Sequence, residues 1–287
     1  SDAAASTGTK VAILASLPEG MPDDIASIAI EAGILPLCGF QAGLAALAHA
    51  ANVASAPLNF GKWQPTAVTP EYSTTVLDEA ATKTELMAHG VSCPVGVSCT
   101  DPAMLTVLAD SLKAPLVLKG LGVLHKSDSG FISLNLTHED LQHHASKMGH
   151  ADGFLVEEMV TAPIAELLVG LQRDAQYGLH LTVASGGILA ELFCDSISLI
   201  LPVNREDIST NINSLRLAPL LQGYRGQAVA DLDAAIDQII ALCDLITQDR
   251  MIAAIEVNPL MICATGAIAA DALLWRYETT QPKGDIS

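Results

Sequence analysis

Basic residues are scarce in this chain: 14 Lys plus Arg stand against 32 Asp plus Glu, a formal net charge of −18 at pH 7. An excess of that sign repels phosphodiester backbones and anionic headgroups, so neither nucleic acid nor a membrane surface is expected as a main partner. Aromatic residues make up only 4%, so a core must rest on Ala, Leu, Ile and Val. The hydrophobic share is nonetheless 50% and the charged share 16%, which argues against intrinsic disorder. No apolar run reaches the ~20 residues that span a bilayer. The opening Ser1, Asp2 and Ala3 supply no basic region ahead of an apolar stretch, so no secretory signal is read and a cytoplasmic setting is expected. A first residue that is Ser rather than Met reads as a processed product or an excised fragment.

The six cysteines (Cys38, Cys93, Cys99, Cys194, Cys243, Cys263) contain no C-x-x-C pair. Neither a zinc centre nor a disulfide framework is expected, although Cys93 and Cys99 could be bridged in principle. Also missing are a G-x-x-x-x-G-K-[ST] phosphate loop and a G-x-G-x-x-G word after a strand.

What remains, over 287 residues, has the size of about two domains. Residues 11–15 read as a buried strand, 23–32 as a helix, 34–37 as a second strand and 41–54 as a second helix. That β-α-β-α order belongs to a parallel sheet covered by helices. Fifty residues bury little by themselves, so 1–55 is either a small docking appendage or the end of a larger domain. Residues 56–72 carry Pro57, Gly61, Pro65 and Pro70 and read as a linker. An α+β unit is expected over 73–277, with a tail at 278–287. Within it the pattern predicts helices over 73–89, 101–112, 137–148 and 231–247. Strands are predicted over 116–119, 131–136, 154–159, 166–172, 179–184, 188–193, 196–201, 253–257 and 267–273.

Four stretches carry possible chemistry. Lys119 ends a predicted strand and leads into Gly120, Gly122, His125, Lys126, Ser127, Asp128 and Gly130. Glycines admit phosphate oxygens to backbone N–H groups and lysines add charge, but a solvated hairpin loop fits the same pattern. Glu256 and Asn258 alternate onto one face of an extended segment, and Asp271 follows inside an apolar stretch. Such oxygen donors suit Mg²⁺; the plainer reading of Asp271 is a buried carboxylate accepting backbone N–H bonds. Glu157, Glu158 and Glu166 flank strand ends, where they either hold a ribose or adenine or simply face solvent. Ser185, Gly186 and Gly187 make a tight turn before Glu191 and Asp195. His138, His143, His144 and His150 surround a polar helix, and the adjacent pair diverges by about 100°, so a solvated face is expected rather than a metal site.

Taken in order, these words resemble an ATP-grasp domain, in particular the β-type domain of the NDP-forming acyl-CoA synthetases (acetate–CoA ligase, ADP-forming, related to succinyl-CoA synthetase). The matching residues are Leu118-Lys119, His125-Lys126-Ser127-Asp128, Val156-Glu157-Glu158-Met159-Val160 and Glu166-Leu167-Leu168-Val169-Gly170. Gly186-Gly187, Gly223-Tyr224-Arg225-Gly226, Glu256-Val257-Asn258-Pro259-Leu260 and Asp271 continue them, so the resemblance spans about 70–277. Residues 1–55 resemble the later half of the flavodoxin-like ligase domain that precedes this one in single-chain members. The fold this implies is α/β and α+β: an ATP-grasp fold preceded by a partial flavodoxin-like parallel-sheet unit.

The resemblance also implies an activity: interconversion of acyl-CoA, ADP and phosphate with carboxylate, CoA and ATP through a phosphohistidine. Lys119 would contact nucleotide phosphates, Glu158 and Glu166 adenosine, and Gly186 and Gly187 would belong to the nucleotide site. Asn258 and Asp271, with Glu256 in support, would hold Mg²⁺. His125 would accept the phosphoryl group, with Lys126 and Arg225 in the catalytic set. The partners implied are ATP or ADP and a CoA-binding domain or subunit absent from this chain, with a homo-oligomer also open. Three departures are visible: Phe131 in place of a glycine, Ser185 in a glycine run, and Cys194 in place of a lysine. They carry the alternative reading, a degenerate ATP-grasp module used for regulation or assembly. A carboxylate–amine ligase of the same fold is disfavoured by the His-Lys-Ser-Asp word and the N-terminal unit.

Overall fold

The computed structural model describes residues 8–55, 73–122, 130–187 and 195–278. The chain divides into two units, Ser1–Gly61 and Lys62–Ser287. In the first, strands β1 (Ala12–Ala15) and β2 (Leu35–Cys38) pair in parallel, Ala12 against Leu35 through Ala15 against Cys38. Helix α1 (Asp23–Glu31) makes the crossover, with Asp23 and Asp24 in its first turn where the helix dipole favours negative charge. Helix α2 (Phe40–Ser55) follows β2. The buried apolar side chains here are Met21, Ala29 and Leu37, whereas Ile13, Leu17, Ile28, Leu35 and Phe40 are exposed. A two-stranded sheet with two helices buries little apolar surface by itself.

The second unit holds two antiparallel sheets. It opens differently from the single helix expected over 73–89. The β-branched Thr74, Thr75 and Val76 form strand β3 (Thr74–Leu77), and only then does α3 (Glu79–Ala88) begin, with Asp78 as its N-cap accepting from the Ala81 N–H at 2.8 Å. The helix expected over 101–112 is likewise shorter. Asp101 caps a 3₁₀ turn by accepting from Ala103 N–H, and α4 covers only Leu105–Leu108.

The smaller sheet has four strands in the order β4 (Gly96–Cys99), β7 (Gly153–Glu158), β5 (Leu116–Leu121), β6 (Ile132–Leu136). Leu116, Leu118, Phe154 and Val156 point from one face into a core shared with Leu105, Leu112 and Leu141, the last on α5 (Leu141–Lys147). The odd-numbered side chains of β5 therefore leave by the other face.

The larger sheet runs β10 (Ser196–Ile200), β9 (Gly178–Ser185), β8 (Ala165–Asp174), β11 (Ile252–Ile262), β13 (Ala272–Tyr277), β3, with β12 (Ala267–Ala269) also on β11. Along β8, Leu167, Val169 and Leu171 are buried while Glu166, Leu168 and Gly170 between them are half-buried. The buried face packs on the long helix α8 (Leu232–Gln248) through Ile236, Ile239, Leu242 and Ile246. Two shorter helices, α6 (Arg205–Ile212) and α7 (Ala218–Leu221), close the same core with Ile208, Ile212 and Leu221.

Two strand expectations need correction. The strand expected over 253–257 runs on to Ile262, because a register shift between Val257 and Leu260 accommodates Pro259, which has no N–H for a ladder. The strand expected over 267–273 breaks at Ala270 and Asp271 and resumes at Ala272. The strand expected over 188–193 lies outside the described residues. Among the described residues no helix is long and apolar enough to cross a membrane.

Candidate functional site

The break between β12 and β13 lies where a helix and the two sheets of the second unit meet. On α3, Glu79 and Lys83 are four residues apart and share a helix face; their side chains pair at 2.8 Å. In the small sheet, Val117 opposes Glu157, so Lys119 and Glu157 are diagonal neighbours on the face turned from that sheet's core. All four charged groups converge. Lys83 Nζ lies 2.5 Å from Glu157 Oε1, and Lys119 Nζ lies 2.5 Å from Glu79 Oε1 and 3.0 Å from Glu157 Oε2. Both lysines also donate to the Ala270 carbonyl, at 2.7 and 2.6 Å. None of the four residues is more than 5% exposed. Buried charges of this kind persist only when paired and hydrogen-bonded, and two ammoniums against two carboxylates satisfy both conditions. Burial alone would lower the Lys119 pKa, but Glu79, Glu157 and Asp271 outweigh it, so the ammonium is held above its ordinary range and stays charged.

Cys93 feels the same cluster. Burial pushes its thiol up to about 11, with Lys83 opposing and Glu157 and Glu79 adding to the rise. Cys93 and Cys99 are free thiols, so the bridge open in principle from the sequence is not formed.

Asp271 is half-buried in the bend after Ala270, not inside a strand as the apolar flanks suggested. Its carbonyl accepts from the Asn258 N–H at 3.0 Å, so the two residues stand side by side where β11 and β13 pair. Glu256, two positions back along β11, opposes Leu273 on one side and Gly170 on the other. Alternation turns Glu256 and Asn258 to the sheet face away from α8: Ile255 and Val257 are buried, Glu256 is half-buried and Asn258 exposed. Two carboxylates and an amide oxygen fit a hard divalent cation that completes its shell with water or phosphate. Among the described residues, no group of three His, Cys, Asp or Glu side chains is placed to hold a metal.

Glu166, Gly186 and Gly187 line one cleft of about 470 Å³, with Ser185, Asp195 and Arg216. Gly186 N–H donates to the Glu166 carbonyl at 2.7 Å. Gly187 has φ +70°, and a Cβ there would stand 2.7 Å from Glu166 Oε2, so a side chain would be strained and would press on the carboxylate. Asp195 fixes the far wall, accepting from Ser185 Oγ at 2.9 Å and Arg216 N–H at 2.8 Å. A second groove of about 460 Å³ crosses the face carrying Glu256, between Gly170, His180, Thr182 and Trp275.

The remaining expectations fall unevenly. Glu158 opposes Leu116 and accepts from the Lys113 N–H at 3.0 Å, on the face opposite its neighbour Glu157. Arg225 is exposed in the turn at 224–226 with φ 53°, its guanidinium 5.2 Å from the Tyr224 ring centroid. His125 and Lys126 lie outside the described residues, as do Glu191 and Cys194. Phe131, the first departure, folds over Gly120, where a Cβ would collide with its ring. Of the four histidines, His138 is not simply solvated: its Nε2 meets the Ala109 and Leu112 carbonyls at 3.0 and 3.1 Å. His143 and His150 are exposed.

Sequence reasoning missed Glu79 and Lys83 as site residues and passed over Glu157 for Glu158. The i,i+4 Glu/Lys spacing was the available signal. Arg216, a cation on the cleft wall, had no local signal.

Residues 69–275 match the model of the ATP-grasp domain family. The chain is 30% identical over 176 residues to acetate–CoA ligase [ADP-forming] I of Archaeoglobus fulgidus, a match covering 57% of this chain and 26% of that protein. It is 26% identical over 210 residues to the beta subunit of acetate–CoA ligase [ADP-forming] I of Pyrococcus furiosus, covering 68% of this chain and 90% of the subunit. Among solved structures it superposes on the dinucleotide-forming acetyl-coenzyme A synthetase 1 of Ca. Korarchaeum cryptofilum, in complex with coenzyme A and Ca-AMPCP. There the TM-score is 0.66 at 25% identity, over 70% of this chain and 93% of that one. The same protein has been solved with Mg-AMPPCP and its phosphohistidine segment pointing towards the nucleotide binding site, with a TM-score of 0.61 at 26% identity over 69% of this chain and 91% of that one. With its two sheets, its buried lysine and a family match over most of its length, the chain belongs to the ATP-grasp domain family, as a homologue of the beta subunits of ADP-forming acetate–CoA ligases.

Proposed function

We propose that this chain is the nucleotide-binding, phosphoryl-transfer part of an ADP-forming acyl-CoA synthetase. The whole enzyme would convert acyl-CoA, ADP and phosphate to carboxylate, CoA and ATP through a phosphohistidine. The observation that carries the reading is the convergence at residues 270–271: Lys119 donates to Ala270, and Asp271 stands beside Asn258. A lysine and a set of oxygen donors at one bend is what phosphoryl transfer demands, since that chemistry is largely positioning and charge neutralisation.

In this reading Lys119 meets the phosphates, and Glu158 and Glu166 hold the adenosine. Gly186 and Gly187 let the nucleotide approach the wall of their cleft. Asn258 and Asp271, supported by Glu256, hold Mg²⁺, which when bound offsets phosphate charge. His125 receives the phosphoryl group, and Lys126 and Arg225 supply positive charge around it. CoA chemistry falls to a separate CoA-binding domain or subunit in the cytoplasm, so this chain alone makes no acyl-CoA. The beta-subunit relatives support a separate partner subunit, and the Mg-AMPPCP complex of the Ca. Korarchaeum protein supports a nucleotide with Mg²⁺.

One observation favours the second reading, a non-catalytic module: the Lys119 ammonium is already paired with Glu79 and Glu157. A thermal-shift titration with ADP and ATP, each with Mg²⁺ or chelator, separates the two. A ligand at 100 times its Kd stabilises a native protein by about 2.7 kcal/mol. A Mg²⁺-dependent rise in melting temperature is expected. No shift with either nucleotide, with the fold intact, favours the module.

A further inference from the structure

The buried cluster holds the lysine that the proposed function needs elsewhere. To reach a phosphate, Lys119 Nζ must leave Glu79 Oε1, Glu157 Oε2 and the Ala270 carbonyl. Two carboxylates abandoned in a buried space would be costly. Every one of those partner groups, however, also receives Lys83: Glu79 Oε1 at 2.8 Å, Glu157 Oε1 at 2.5 Å and the Ala270 carbonyl at 2.7 Å. Two cations therefore share one set of acceptors, and the set keeps a donor when either leaves. Lys83 sits on α3 and is 3% exposed, and Lys119 sits on β5 and is 5% exposed.

We propose that Lys83 is a positioning residue: it retains Glu79, Glu157 and the Ala270 carbonyl when Lys119 leaves for a nucleotide phosphate. The cluster is then a latch that stores Lys119 in the free protein and yields it to ligand. The ligand in this inference rests on the proposed function; the storage of Lys119 does not. Charge makes the latch specific. Without Lys83, Lys119 alone faces Glu79 and Glu157, with Asp271 adding to their pull, and is held harder. Removing one carboxylate as well eases that hold.

The test compares wild type with Lys83→Arg, Lys83→Met, Glu79→Gln and the Lys83→Met/Glu79→Gln double variant. Acylation of each lysine by an amine reagent is mapped by mass spectrometry on ligand-free protein, with the exposed Lys113 and Lys147 as internal references. ADP affinity with Mg²⁺ is measured by calorimetry on the same samples. In wild type and Lys83→Arg, Lys119 reacts about tenfold or more slowly than the references. Lys83→Met weakens ADP binding about tenfold, the equivalent of ~1.4 kcal/mol of extra hold on Lys119. The double variant returns to within about twofold of wild type. Glu79→Gln, in its folded fraction, speeds acylation of Lys119; acylation there as slow as in wild type overturns the latch.

A folded Lys83→Met with unchanged ADP affinity overturns the proposal, as does a loss that the double variant fails to restore, because a merely structural lysine gives that pattern. Lys119 acylated as fast as Lys113 in a wild type that binds ADP overturns the latch alone. A folded wild type with Lys119 protected that binds no adenine nucleotide overturns the functional reading, and with it the release to ligand.

Discussion

Two charged assemblies meet at one bend of the chain and are built in opposite ways. The Glu79–Lys83–Lys119–Glu157 cluster is closed to solvent: its charges are buried and paired with one another. Glu256 and Asn258, on the face of the large sheet away from α8, are partly or fully exposed and bring oxygen donors. Asp271 belongs to both, adding to the charge that keeps Lys119 protonated while standing beside Asn258. The difference separates stability from binding. Closed charges are costly to break and open donors are not, so substitutions in the two assemblies should report through different observables.

The largest expected effect is on the closed side. Glu157→Ala leaves two buried lysines with too little negative charge and should cost about 3–5 kcal/mol in chemical denaturation. Glu256→Ala, on the open side, should stay within about 0.5 kcal/mol in the same measurement. Next, Asn258→Ala should keep the fold but reduce Mg²⁺-dependent ADP affinity by about 10–100-fold, a range in which altered metal sites fall. Third, Gly187→Ala forces a side chain into positive φ against Glu166, which should cost about 1–2 kcal/mol and weaken nucleotide binding at that cleft. A full loss of stability from Glu256→Ala would erase the distinction between the two assemblies.

The smallest effect is a control on pH. Hydrogen bonds from the Gly266 and Ala234 N–H groups hold the Asp231 carboxyl below its ordinary pKa. A depressed folded pKa means that its stabilisation is complete above the unfolded carboxylate pKa of about 3.9 and fades as pH falls through the folded value. Asp231→Asn should therefore flatten the acid limb of a melting-temperature profile by slightly lowering its neutral-pH plateau, with the least change below the folded pKa. Neither charged assembly should respond to it.

Much of the architecture was legible because alternation and capping are local. Leu167, Val169 and Leu171 announce a half-buried strand, and Asp231 announces the start of α8. Thr74–Leu77 was absorbed into a helix because four residues carry too little periodicity, and only pairing with β13 makes them a strand. Asn258 and Asp271 were legible as donors from their residue types, but their contact depends on a strand break between Ala269 and Ala272 that no local pattern marks. Glu157 and Glu158 were indistinguishable until register set one against Lys119 and turned the other away. Glu79 and Lys83 lay in what read as an ordinary polar helix, and their burial is a tertiary fact.

The most direct test of the account is calorimetry of ADP binding, with Mg²⁺ and with chelator, on wild type and Asp271→Ala. Wild type should bind ADP more tightly with Mg²⁺, and Asp271→Ala should stay folded and lose that dependence. Equal Mg²⁺ dependence in the two proteins would contradict the placing of the metal at Asp271 and leave the convergence at this bend without its function.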